Sequence, residues 1–314
     1  MYKFFWIFLW SSLCFSQTSK EKAEVFIANK EFVKAQDEMH LFLKSNPDDK
    51  VAIELLGDAF GYQEKWGQAI KQYKKLVERE PNNANYHYKY GGALGMKALS
   101  ISKIKALGII GDVKEAFLKA AELDPNHIDA RWALVELYIS LPGIIGGSTA
   151  KALAYAGELE NLSKVDGYLA KGYVYEYYEE PELAEKYYRQ AIAVGGSVTC
   201  YEKLTSFYEG QAQPEKAIGN IEAAQKIHQR NAMHYQIGKV CADYNIQLEK
   251  GEKCLKTYLS NHSAKDGVPK EWAYYRLAQI YKHKNNKAEA LIWINKAIDG
   301  LPDIDVFQEF KESL

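Results

Sequence analysis

The sequence is short of nearly everything that a local catalytic or metal site needs. It has four cysteines, and one of them, Cys14, falls in an apolar run at the N-terminus. The remaining three, Cys200, Cys241 and Cys254, form an odd set without Cys-x-x-Cys spacing, so neither a disulfide framework nor a zinc site is expected. A single bridge between Cys241 and Cys254 stays open, since the two fall on the two helices of one expected helix pair. The seven histidines are scattered from His40 to His283 and never reach ligand spacing. No His-Glu-x-x-His, Gly-x-Ser-x-Gly or Gly-Lys-Ser/Thr motif is present. The acidic run Glu179, Glu180 and Glu182 sits at a turn, where a solvated surface explains it better than paired-carboxylate chemistry. No catalytic residue, metal or cofactor is therefore nominated, and an enzyme is not expected.

Charge of one sign is missing too. Lys and Arg number 40 against 41 Asp and Glu, which leaves no basic excess to neutralise phosphates and disfavours nucleic acid as a partner. Long hydrophobic runs are confined to the start. Met1-Tyr2-Lys3 is a short cationic lead, Phe4 to Leu13 is apolar apart from Ser11 and Ser12, and Cys14-Phe15-Ser16 puts small residues at the first and third positions before a cut. This pattern predicts a signal peptide at 1–16, cleaved before Gln17, and a protein that is exported to the periplasm or secreted. The run is well short of the roughly 20 residues that span a bilayer.

What the sequence does have is period. Pro47 and Pro81 stand 34 residues apart, as do Gly57 and Gly91. Between Gly57 and Pro81 come Phe60, a break near Lys65 to Gly67, then Ala69, Tyr73 and Leu76, which reads as two amphipathic helices joined by a turn. The same order recurs as Tyr168, Gly172, Tyr175, Ala184, Tyr188 and Ala191, as Tyr201, Leu204, Tyr208, Ala217, Ile221 and Ala224, and as Tyr274, Leu277-Ala278, Tyr281, Ala290, Ile294, Ala297 and Pro302. Partial copies are Ala23, Phe26, Ala35, Met39 and Pro47, and Ile237-Gly238, Cys241, Leu255 and Tyr258, where Gly251 stands in for the expected Ala. The pattern resembles the tetratricopeptide repeat (TPR) family. The resemblance implies an all-α fold over 17–314: a right-handed α-solenoid of about eight antiparallel helix pairs with a short C-terminal capping helix from Ile304. Small residues such as Gly57 and Gly172 should let paired helices approach closely while large ones fill the gaps.

Two neighbouring repeats depart from the period. Insertions are expected near 98–112 and 141–149, each carrying the letters Gly-Ile-Ile-Gly: Gly108-Ile109-Ile110-Gly111 and Gly143-Ile144-Ile145-Gly146. Ile109, Ile110, Ile144 and Ile145 either fold back on their own helices or form one apolar edge for a partner or a membrane surface.

The family resemblance also implies a concave groove lined by the first helix of each pair. That places Tyr62, Tyr88, Trp132, Tyr173, Tyr177, Tyr235, Trp272 and Tyr275 as candidate partner contacts, with Asp58, Glu136, Glu202, Lys239 and Lys282 among them. The 23 tyrosines suit this role, because an aromatic brings large rigid area at low entropy cost. Glu54 and Asp58 stand where relatives that clamp a chaperone C-terminus carry cations, so that clamp is not expected. The function expected is a scaffold for a protein or peptide partner in a cell-envelope complex, the alternative being a groove for a peptide or small ligand.

Overall fold

The computed structural model describes residues 18–314, so the expected signal peptide and Cys14 lie outside the described residues. Every regular element among them is helical, and the chain packs as two units, one ending at Ser148 and the other spanning Thr149–Leu314. The first unit contains α1 (Ser19–Ala28), α2 (Phe32–Ser45), α3 (Lys50–Tyr62), α4 (Trp66–Arg79), α5 (Ala84–Ser100), α6 (Lys103–Leu107), α7 (Ile110–Leu123) and α8 (Ile128–Ser140), then a 3-10 turn at Gly143–Ile145. The second contains α9 (Thr149–Leu162), α10 (Lys164–Tyr177), α11 (Pro181–Gly195), α12 (Val198–Gly210), α13 (Pro214–His228), α14 (Asn231–Tyr244), α15 (Leu248–Ser260), α16 (Lys270–His283), α17 (Lys287–Gly300) and α18 (Asp305–Glu312). The order is that of the expected repeat, with α6 as an extra short helix and α18 as the terminal one. The boundary between the units falls at the end of the second interruption.

The two helices of a pair begin by different devices. Several first helices start on a polar cap: Asp49 accepts from the Ala52 amide at 2.9 Å, Asn83 from Tyr86 at 3.3 Å and Ser197 from Cys200 at 3.3 Å. Each satisfies an amide that has no partner inside the helix. The second helices start from a turn that recurs at Lys30, Glu64, Glu179, Ala212 and Asn285, all non-glycine residues with φ between 51° and 61°. The amide just after each reaches back five residues to an aromatic carbonyl: Glu31 to Phe26, Lys65 to Phe60, Glu180 to Tyr175, Gln213 to Tyr208 and Asn286 to Tyr281, at 2.7–2.9 Å. This is the Schellman arrangement, which closes the first helix and aims the chain into the second. The strain of a left-handed non-glycine residue is carried at each turn and offset by the helix packing that the turn makes possible.

Within a pair, a small residue on the first helix meets a large one on the second. A Cβ on Gly57 would lie 2.6 Å from the Tyr73 ring, on Gly91 3.0 Å from Phe117, on Gly172 2.6 Å from Tyr188 and on Gly238 2.3 Å from Leu255. The helices are packed to a distance that only hydrogen permits at those points. Tyr73 and Tyr188 then turn their hydroxyls outward to donate to Asp58 and Glu176. Burial, reinforced by these carboxylates, pushes both phenols above their ordinary pKa range. Phe307 of α18 is fully buried against Trp272 and Tyr275, so the terminal helix covers the apolar end of the last pair.

Candidate functional site

The first helices of successive pairs are laced together by ion pairs. In the first unit Lys89 of α5 holds Glu54 at 2.6 Å and Asp58 at 2.8 Å on α3. Burial alone would lower the Lys89 ammonium, but the two carboxylates together raise it. In the second unit Lys239 of α14 pairs with Glu209 of α12 at 2.5 Å, and Arg276 of α16 with Asp243 of α14. Burial nevertheless leaves the Asp243 carboxyl above its usual range, despite the guanidinium beside it. Lys282 donates to the Ser313 carbonyl and hydroxyl at 3.2 and 2.8 Å and so is spent on the C-terminus. Much of the charge expected to line a groove therefore fixes the spacing of the helices.

A cleft of about 860 Å³ opens between α12 and α14. Its floor is apolar, from Ile221, Ala224 and Met233, and its walls carry Glu202, Ser206, Gln236 and the Glu209–Lys239 pair. One side is closed by the connection between α15 and α16, which supplies Lys265, Asp266 and Val268. That connection is held in place by Asn231 donating to Asp266 at 3.1 Å and by the Tyr258 hydroxyl and His262 on the Val268 carbonyl. Glu202, Arg230 and Lys265 have no ion-pair partner among the described residues. The cleft thus offers one free carboxylate, two free cations and neutral hydrogen-bonding side chains over an apolar floor. It holds no nucleophile beside a base. Among the described residues no group of three or more His, Cys, Asp or Glu is arranged to hold a metal.

Of the residues expected in the groove, Glu202 and Lys239 line this cleft. Two others are corrected by the structure. Tyr235 is 7% exposed with its ring 5.4 Å from that of Tyr258, and Tyr275 is 7% exposed against Phe307 and Phe310. They are core residues, covered by neighbours that the repeat period does not include. Trp272 is half-buried with its ring 4.9 Å from Phe307. Tyr88 is half-buried beside Phe117 and His127, and Trp132 and Tyr173 are also half-buried. Tyr62 is exposed and stacked on Phe32 at 4.9 Å, and Tyr177 is exposed edge-on to Tyr178. Asp58 is bound by Lys89 and Tyr73, and Glu136 is exposed on α8. Sequence reasoning missed the cleft wall at Lys265–Val268. Its signal was the unusually long link from Ser260 to Lys270, with Gly267 at φ 77° and Pro269.

The loop edge also differs from expectation. Ile144 is 95% exposed, but Ile109, Ile110 and Ile145 are half-buried, and Ile110 and Gly111 open α7 instead of forming a loop. The exposed apolar side chains around the first insertion are Met96, Leu99, Ile104 and Leu107, on α5 and α6. The cysteines are free, Cys200 and Cys241 buried and Cys254 half-buried; burial pushes the Cys241 thiol up to about 11.

Models of the tetratricopeptide repeat match residues 54–94, 165–194 and 273–299, which are the pairs where the small-to-large contact and the Schellman turn are most regular. The chain is a tetratricopeptide repeat protein. A TPR protein from Parabacteroides merdae has a similar structure, with a TM-score of 0.52 and 16% identity over 83% of this chain and 97% of its own. YrrB, described as a TPR protein with an unusual peptide-binding site, gives a TM-score of 0.43 at 20% identity over 63% of this chain and 98% of its own. TTC0263, a thermophilic TPR protein of Thermus thermophilus, gives 0.41 at 14% identity, with 77% and 97% covered. No curated protein matches the sequence. TPR folds serve as scaffolds for protein or peptide partners, and the fold by itself names no partner.

Proposed function

We propose that this TPR protein is an exported, non-catalytic scaffold that holds a segment of a protein partner in a cell-envelope assembly, with the cleft between α12 and α14 as the seat. The observation that carries this reading is the cleft's lining. Glu202, Arg230 and Lys265 are charged, unpaired and close to an apolar floor, in a molecule that elsewhere pairs its inter-helix charges. A mixed, partly apolar trough of this size suits an extended peptide segment, whose backbone and side chains would use Ser206 and Gln236 as well as the charges. Export rests on the cationic and apolar start at residues 1–16 and the small residues before Gln17. Among the described residues no helix is long and apolar enough to cross a membrane.

Two measurements test the reading. Purified from its native cell, the exported protein should begin at Gln17; a chain that begins at Met1 removes the cleaved signal. A protein partner should co-purify in stoichiometric amount and be lost from a Ser206→Arg, Gln236→Arg variant that keeps its helical circular dichroism. Retention of the partner by that variant would take the seat away from this cleft.

A further inference from the structure

The first insertion does more than lengthen a turn. From Met96 to Leu107, spanning the end of α5 and all of α6, four large apolar side chains stand open to solvent: Met96 at 44%, Leu99 at 80%, Ile104 at 84% and Leu107 at 53%. Ile104 and Leu107 are three apart on α6, and Met96 and Leu99 three apart on α5, so each pair shares a helix face. Lys97, Lys103 and Lys105 lie between them, with Lys103 and Lys105 exposed. None of the three has an ion-pair partner among the described residues, in a fold where Lys89, Lys239 and Arg276 are all paired. No Asp or Glu occurs anywhere from Pro81 to Gly111. A surface that combines open aliphatic side chains with unneutralised lysines fits one kind of partner well. Its apolar side chains can enter the boundary between headgroups and acyl chains while the ammonium groups stay among anionic headgroups.

We propose that Met96–Leu107 is a peripheral docking site for an anionic lipid surface, with Leu99, Ile104 and Leu107 inserting and Lys97, Lys103 and Lys105 pairing with headgroups. This goes beyond the partner seat at the cleft and does not depend on it. It also moves the apolar edge from the Gly-Ile-Ile-Gly letters, where Ile109 and Ile110 are half-buried, to the helix before them.

The test is co-sedimentation of the full chain with vesicles of phosphatidylcholine alone or with about 30% phosphatidylglycerol. Two variants are compared with wild type, Lys97→Glu/Lys103→Glu/Lys105→Glu and Leu99→Ser/Ile104→Ser/Leu107→Ser. The altered side chains are mostly exposed, so both variants should fold, and circular dichroism checks this. Wild type should bind the phosphatidylglycerol vesicles and lose that binding as salt rises. At roughly fivefold per lysine near an anionic surface, neutralising the three should weaken partitioning about 100-fold, and reversing them by at least as much. The serine variant should lose at least about tenfold. Failure of wild type to prefer anionic over neutral vesicles would overturn the proposal, as would binding that both variants retain, since it would then arise elsewhere in the chain. Loss of a protein cross-link in the variants without any vesicle binding by wild type would assign the surface to a protein and likewise overturn it.

Discussion

Between α10 and α11 the chain reverses through a short link whose one unusual residue is Glu179 at φ 58°. Between α5 and α7 it spends ten more residues, an extended α5 and the whole of α6, on the same reversal. Both routes end in the same contact: Gly172 under Tyr188 in one, Gly91 under Phe117 in the other. The spacing from the small residue to the large one is 16 residues in the first case and 26 in the second. The contact between paired helices is thus the fixed element and the turn is the variable one. Extra residues at a turn need only reach the same end point, which leaves their outer surface free to take on a specific role.

The strongest way to break this comparison is to remove the fixed contact. Tyr188→Ala should cost about 3–5 kcal/mol, because it empties a fully buried site and removes the ring on which Gly172 rests, and should lower the urea midpoint sharply. Ile104→Ala on α6 should change stability by less than about 0.5 kcal/mol in the same titration. Next in size, Gly57→Ala should cost about 1–3 kcal/mol by forcing the Tyr73 ring away, while Gly111→Ala, which meets nothing within 4 Å, should be neutral or slightly stabilising in thermal melts.

A smaller effect separates the two kinds of region by pH. Partial burial disfavours ionisation of Glu252, yet Lys256, Lys284 and the Tyr281 hydroxyl hold its carboxyl at about 2, below the ordinary 4.5. A carboxyl held low stabilises the fold above its unfolded pKa and loses that contribution as pH falls through the folded value. Wild type should therefore lose stability between about pH 4.5 and pH 2 more steeply than Glu252→Gln, as followed by acid titration of the circular dichroism signal. The smallest effect concerns the regular turn itself. Glu179→Gly relieves a left-handed non-glycine residue and should raise stability by about 0.5–1 kcal/mol, readable as a shift of the melting temperature. The same kind of change at Lys105, which lies within α6, should lower it.

The period of the small and large positions was legible because packing geometry repeats with the chain: Gly57, Gly91, Gly172 and Gly238 each meet the partner that their spacing implied. The Schellman turns were not legible as such, since Lys30, Glu64, Glu179, Ala212 and Asn285 share no residue type. The aromatic five residues before the turn's end is the only recurring letter. The site was read less well for a definite reason. Glu202 and Tyr235 occupy equivalent positions on α12 and α14, three residues before the small position at Thr205 and Gly238. Glu202 faces the cleft, whereas Tyr235 is covered by Tyr258. Tyr275, at the same position on α16, is covered by Phe307 and Phe310. Helix periodicity places all three on one face, but what lies over that face comes from outside the repeat. The wall at Lys265–Val268 escaped notice because it belongs to a link and not to a helix.

The most direct test of the scaffold reading is site-specific photocross-linking in the native cell. A photoreactive residue is placed at Gln236 in the cleft and, in a separate strain, at Lys226, exposed on α13. The expected result is capture of one discrete protein from Gln236 and none from Lys226. Equal capture from both positions, or none from Gln236 while a partner still co-purifies, would contradict the assignment of the cleft between α12 and α14 as the seat of the partner.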